Sequence, residues 1–291
     1  MHIQRPRSVR EVFAYSLVLY RRRIGFLLGA AVCILLPYLI FTAYVRTHFL
    51  AASEQDMQQF MTTVENDGNA SASQLFSSLP HGSELWLGVL IIVYVFIAMP
   101  LLMGVIAHMT ALWETREQEV KLHEAGNLSF HRLWANITTI FLIAVIYIVV
   151  SSVYMLLVSL VTSVLAGVSG ILGAIVGVLG TIAFVIGMVW YIIRSAFTPI
   201  IVVEENLSLV RAIRRSFELT RYQTRRLLGF FIMLLIVVFV VETFMSLIGD
   251  LIFYTPGGAL MVSTVVSIVV TPFAYVVISM MYLDLRIRKE K

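Results

Sequence analysis

The chain is poor in several things that most proteins of 291 residues use freely. It has a single cysteine, Cys33, so neither an intramolecular disulfide nor a cysteine-based zinc site can form. A lone thiol inside an apolar run reads as a small packing residue. Charged residues make up only 13% of the sequence, about half the share of a soluble domain. Spaced catalytic motifs are missing as well. There is no phosphate-binding P-loop, which excludes an ATPase subunit of that kind, and no HExxH zinc helix. Glu114, Glu117, Glu119, His123, Glu124 and His131 lie close together, but their spacing matches no standard metal motif and reads as a solvated charged loop. No cofactor is expected. Nor is a cleavable signal peptide, because the first apolar run begins after Arg23 and exceeds the roughly 7–15 residues of such a segment.

What is abundant is apolar. Hydrophobic residues reach 59% and the mean hydropathy is +0.92, and these residues fall in blocks rather than in periodic stripes. Crossing a hydrocarbon core about 30 Å thick takes roughly 20 apolar residues. Six blocks qualify, over 24–45, 85–109, 134–165, 171–194, 228–249 and 259–282. Every peptide group in lipid must be satisfied internally, so these blocks read as helices; barrel strands would alternate in stretches of about ten residues. The expected fold is an all-α integral membrane protein, one polytopic domain over 1–291 with six transmembrane helices in three hairpins. The AGVSG stretch makes a tight turn between the third and fourth spans. Thr255-Pro256-Gly257-Gly258 supplies turn chemistry between the fifth and sixth.

Basic residues orient the spans. Nineteen of the 21 lie in the N-terminal segment, the 114–132 loop, the 204–226 loop and the C-terminal tail, which are all on one side. Arg46 falls on the other side, and Arg194 sits at the edge of a span. The loop over 46–84 carries Glu54, Asp56, Glu65, Asp67 and Glu84 instead. Both termini are therefore expected in the cytoplasm and the 46–84 loop outside. A basic amphipathic segment over 1–23, a basic amphipathic helix over 199–227 and a tail over 283–291 face inward. Of the four N-x-[ST] sequons, at Asn69, Asn127, Asn136 and Asn206, only Asn69 faces out.

Two approaches to a span look alike. SVREVFAYSLVLYRRRIGFLL and LSLVRAIRRSFELTRYQTRRLLGFF each carry an amphipathic segment, a serine (Ser16, Ser216), a basic cluster and an apolar start containing glycine. In the first, Val9, Phe13, Leu17 and Tyr20 follow helical spacing, and Ser8 with Glu11 forms a capping box. In the second, Leu207, Val210, Ile213 and Phe217 form the stripe, with Asn206 or Ser208 as N-cap. NLSFHRLWANITTIFL is a shorter version before the third span. Pro100 and Pro272 are expected to kink the second and sixth spans. Three hairpins on one plan, or three membrane hairpins that each need an interfacial anchor, are both consistent with this pattern.

Arg21, Arg22, Arg23, Arg194, Arg211, Arg214, Arg215, Arg221, Arg225 and Arg226 are the candidate lipid- or partner-binding residues. Basic helices in the headgroup layer place arginines on lipid phosphates, each worth about 1 kcal/mol near an anionic leaflet. The same arginines could serve topology and anchoring alone. Nucleic acid is not an expected partner, since the charge is juxtamembrane and no aromatic stacking platform accompanies it. Glu242 lies about 14 residues into the fifth span, roughly 21 Å deep, and must be protonated, paired or facing a wet cavity. Arg194 reads as interfacial, because Thr198-Pro199 favours a helix break beyond it. His108 reads as a packed or interfacial histidine. Gly173 and Gly177 form a GxxxG step that serves packing within the chain or a dimer face.

FTPIIVVEENLSLVRAIRRSFELT resembles a stretch of the bacterial glycerophosphoryl diester phosphodiesterase membrane domain and related polytopic families of unknown function. In those, an apolar strip ending in Glu precedes an Ala-x-x-x-Ser helix, matched here by Glu204 or Glu205 and by Ala212 to Ser216. MYLDLRIRKE is similar to their Tyr-x-Asp-x-Arg ending, carried by Tyr282, Asp284 and Arg286. The catalytic barrel of some members is absent, so the resemblance implies a membrane architecture and no phosphodiesterase activity. The function expected is a non-enzymatic bacterial plasma-membrane protein that engages anionic lipid or a lipid-linked polymer, and assists or anchors a membrane-protein partner or a second copy. A transporter with Glu242 on a polar path is the alternative. A membrane-embedded transferase or hydrolase has least support, because no nucleophile or acid–base pair stands out.

Overall fold

Runs of apolar residues with no water to bond their backbones become helices, and the computed structural model of the protein, described over 7–45, 83–116, 122–252 and 256–290, is almost entirely helical there. The helices are α1 (Val9–Arg22), α2 (Ile24–Val45), α3 (Ser83–Val93), α4 (Met99–Arg116), α5 (Leu122–His131), α6 (Leu133–Val168), α7 (Gly170–Ser195), α8 (Thr198–Glu204), α9 (Leu209–Thr220), α10 (Thr224–Ile252) and α11 (Pro256–Glu290). Six are long and apolar enough to cross a membrane, with α3 and α4 counting as one. The acidic loop expected over 46–84, with Arg46 and Asn69, lies outside the described residues up to position 82, as do Glu117, Glu119 and Thr255.

Prolines shape the spans in different ways. A π-turn, Tyr94–Ala98, joins α3 to α4 just before Pro100. Proline cannot donate to the carbonyl four residues back and crowds it, and a widened turn relieves that crowding. Pro272 lies within α11, and three residues before it the Val269 carbonyl accepts a hydrogen bond from the Tyr20 hydroxyl at 2.8 Å. Pro256, Gly257 and Gly258, expected in a turn, open α11 instead. Proline suits a first helical position because its missing N–H has no partner there anyway.

The largest departure from expectation is the segment over 199–227. It is not one amphipathic helix. Thr198–Glu204 forms α8, whose first six residues are all buried. The chain then turns through Asn206 (φ 54°), and Leu209 (φ 52°), the first residue of α9, also adopts left-handed backbone. A bulky residue there is strained by about 1–3 kcal/mol. Ser208 takes the N-cap position without capping through its side chain. The cap comes from elsewhere: Leu209 N–H donates to Thr139 Oγ1 of α6 at 2.8 Å. Thr139→Val is therefore expected to cost about 1–3 kcal/mol by leaving that amide unpaired. A lowered unfolding midpoint in detergent checks this. Thr138→Val, whose hydroxyl bonds only within α6, should change little.

The core joins α1, α2, α4, α8, α10 and α11, with Phe13 on Phe230, Tyr20 on Phe273 and Phe26 on Trp113. Each of α1, α5 and α9 precedes a long span and turns a buried serine inward: Ser16, Ser129 and Ser216. Each packs on a helix returning from a hairpin: α5 on α4, α9 on α7 and α8, and α1 on α11. The first short helix thus closes on the last span.

The α6–α7 hairpin stands apart. Only Ser169, in extended conformation, separates its helices, and α6 runs about 54 Å at 1.5 Å per residue. Its outward faces are exposed along most of their length. Gly173 and Gly177 lie inside this hairpin, where a Cβ on Gly173 would fall 2.9 Å from Ala166 Cα and one on Gly177 would meet Thr162. The GxxxG step thus serves packing within the chain.

Candidate functional site

The end of the molecule that carries α1, α5, α9 and the tail of α11 holds two kinds of arginine. Some are spent on buried carboxylates. Asp284, 1% exposed, accepts from Arg226 Nη2 at 2.7 Å and Arg288 Nε at 2.9 Å. Its other oxygen accepts from the Arg7 backbone N–H at 2.7 Å. The Arg7 carbonyl in turn accepts from Arg226 and Arg288 at 2.7 and 2.8 Å. Three distant parts of the chain are thereby clamped around one carboxylate. Glu205 does the same on a smaller scale, accepting from Arg215 Nε and the Tyr282 hydroxyl, both at 2.8 Å. Glu204 meets His108 Nδ1 at 2.9 Å. The Ser216 hydroxyl donates to the Arg194 carbonyl at 2.5 Å.

The positions singled out by motif resemblance thus form an internal scaffold. Glu204, Glu205, Ser216, Tyr282 and Asp284 all hold helices to one another. Arg286 stands on the same turn of α11 and acts on Tyr282 electrostatically. Arg215 and Arg226, expected to meet lipid, are occupied by Glu205 and Asp284. Arg7 and Arg288 complete the Asp284 cluster; Arg7 carried no signal in the sequence, because its partner lies 277 residues along the chain, whereas Arg288 follows Asp284 by four residues, a helical spacing visible in the sequence. Arg7 also stacks over the Tyr15 ring at 3.9 Å. Burial and then a hydrogen bond to Glu114 hold the Tyr15 phenol above its ordinary pKa.

The second kind of arginine faces outward. Arg21, Arg22, Arg211, Arg221 and Arg225 are exposed and form no ion pair with a described residue. Arg214, 82% exposed, pairs only with Glu218 one turn on at 3.2 Å, a solvent-screened contact that adds little to stability. Glu218 also meets Lys289, and Lys289 then Arg214 hold its carboxyl below the ordinary value. Arg23 lies over Trp113 at 5.6 Å. Arg194 is half-buried against the Trp190 and Phe217 rings. The buried face of α9 is Ala212, Ser216, Leu219 and Thr220, while Val210 from the expected stripe is exposed. The helix therefore packs on protein through small residues and presents arginines and part of its apolar stripe outward.

Glu242 lies exposed on α10, near enough to Tyr94 in the π-turn to act on it electrostatically. Among the described residues, no three His, Cys, Asp or Glu side chains converge on a possible metal position. The chain is similar to no curated protein and to no solved structure. Nothing that matches names a glycerophosphoryl diester phosphodiesterase membrane family. A domain of unknown function, DUF7847, matches residues 47–285, most of the chain, and the chain belongs to that family.

Proposed function

We propose that this is a non-enzymatic multi-pass protein of a bacterial plasma membrane, with both termini in the cytoplasm, that binds anionic lipid headgroups or a lipid-linked polymer through its arginine face and anchors a partner in envelope metabolism. The observation that carries the reading is the division of labour among the arginines. Internal carboxylates take up Arg215, Arg226 and Arg288, yet Arg21, Arg22, Arg211, Arg221 and Arg225 remain exposed and unpaired among the described residues on the same end. Unpaired guanidinium groups beside apolar spans are what a phosphate-bearing leaflet attracts. A permease with Glu242 on a polar path has less support, since that side chain lies on the outer surface of α10.

The test is lipid retention. The wild-type protein, reconstituted with equal phosphatidylglycerol and phosphatidylcholine and then mildly extracted, should carry phosphatidylglycerol in excess by native mass spectrometry. Arg211→Glu/Arg221→Glu/Arg225→Glu should lose most of that excess, given about 1 kcal/mol per basic residue. An unchanged lipid ratio in the triple variant would remove the basis of the reading.

A further inference from the structure

Between α6 and α7 lies an open groove of about 280 Å³. One face of each helix lines it: Tyr147 and Tyr154 on α6, seven residues apart, and Ala183, Gly187 and Trp190 on α7. Two tyrosines bridge the helices. The Tyr154 hydroxyl donates across to the Gly180 carbonyl at 2.9 Å, and Tyr191 donates back to Ile143 at 3.1 Å. Their polar ends are thus satisfied by backbone and their rings, stacked with Phe184 and Tyr147, are left to the groove. At mid-groove stands Gly187, where a Cβ would meet nothing within 4 Å.

The groove leads to a cation. Arg194 follows Trp190 by four residues, so helical spacing puts it on the same face of α7 one turn on. Its guanidinium carbon lies 4.5 Å from the Trp190 ring centre. It forms no ion pair with a described residue, its buried Nε has no hydrogen-bond partner among them, and Nη2 donates to the Arg221 carbonyl at 3.3 Å. The groove's lining on α7 runs from Ala183 to Tyr191 and Arg194 lies one turn beyond Trp190, so groove and cation together cover about 16 Å of helix, half of a hydrocarbon core about 30 Å thick. An apolar slot does not hold water stably. A slot that covers one leaflet together with the unpaired arginine one turn beyond it matches an amphiphile with one negative head.

We infer that the α6–α7 groove holds one acyl chain of an anionic phospholipid, with the phosphate on Arg194. The inference shares with the proposal above the premise that anionic lipid is the ligand, but rests on different residues. In the same reconstitution, wild-type protein should retain one phosphatidylglycerol molecule after loosely held lipid has been stripped. Gly187→Leu fills the groove where there is room for it and should lose that molecule whichever headgroup is supplied, while eluting as a folded species. Arg194→Gln should keep a lipid but lose about tenfold of its preference for phosphatidylglycerol, the scale of one charge-assisted hydrogen bond. The Arg211/Arg221/Arg225 variant should retain the molecule. Wild-type occupancy in Gly187→Leu overturns the groove, and if the triple variant alone loses lipid the surface reading stands without it. Loss in Gly187→Leu with an unaltered lipid ratio in the triple variant leaves the groove and removes the surface.

Discussion

Asp284→Asn should destabilise the protein more than any surface charge change, by about 3–5 kcal/mol. Asparagine keeps the shape of the side chain and removes its charge. Arg226 and Arg288, each less than a third exposed, then lose the counter-charge at 2.7 and 2.9 Å. The Arg7 amide keeps an acceptor only if the new side chain presents its oxygen. Breaking one partner of a buried pair is costly because the remaining charge stays desolvated. Arg214→Ala removes an exposed, solvent-screened pair on the same end of the molecule and should leave stability nearly unchanged. The unfolding midpoints of the two variants in one detergent settle the matter. Equal midpoints would mean that the Asp284 cluster does not hold the termini together.

Gly104→Val is expected to have the second largest effect. A Cβ on Gly104 would fall 2.9 Å from Val203 Cγ2 of α8 and 3.2 Å from Ser129 Oγ of α5. Neither neighbour can withdraw easily: Val203 is buried in the short helix that leads directly into Glu205, and Ser129 is buried against α4. Overpacking of this kind costs about 1–3 kcal/mol, and a branched side chain adds strain. Gly229→Ala is the control. Its Cβ would meet nothing within 4 Å, so the gain in helix propensity, about 1 kcal/mol, should appear as unchanged or raised stability. A Gly104→Val protein as stable as Gly229→Ala would show that α4, α5 and α8 do not meet as closely as described.

The spans were legible because a bilayer imposes a crude rule: some 20 apolar residues in a row leave few alternatives to a membrane helix. The capping box at Ser8 and Glu11 was legible too, since both of its bonds are local and both form. The burial of α8 was not. Thr198–Glu204 reads as the break after a span and the start of the basic amphipathic segment, and only the approach of α4, α6 and α9 makes it a core element. The same holds for the arginines. Arg214 could be paired with Glu218 from spacing alone, but Arg226 finds Asp284 58 residues away and Arg215 finds Glu205 across a left-handed break. Thr139 as the cap of α9 is likewise a fact of tertiary structure, 70 residues from the amide it serves.

The closure of α1 on α11 sets an order for making the protein. Arg7 is held by a residue 277 positions later, and α1 buries Val12, Phe13, Ser16 and Tyr20 partly against that same last helix. At a synthesis rate of about 5–20 residues per second, α1 waits roughly 15–55 s before its partner exists. Throughout that interval its buried face must rest on something other than α11, and its amphipathic surface suits it to rest on the membrane. A helix made late is therefore the one that completes α1.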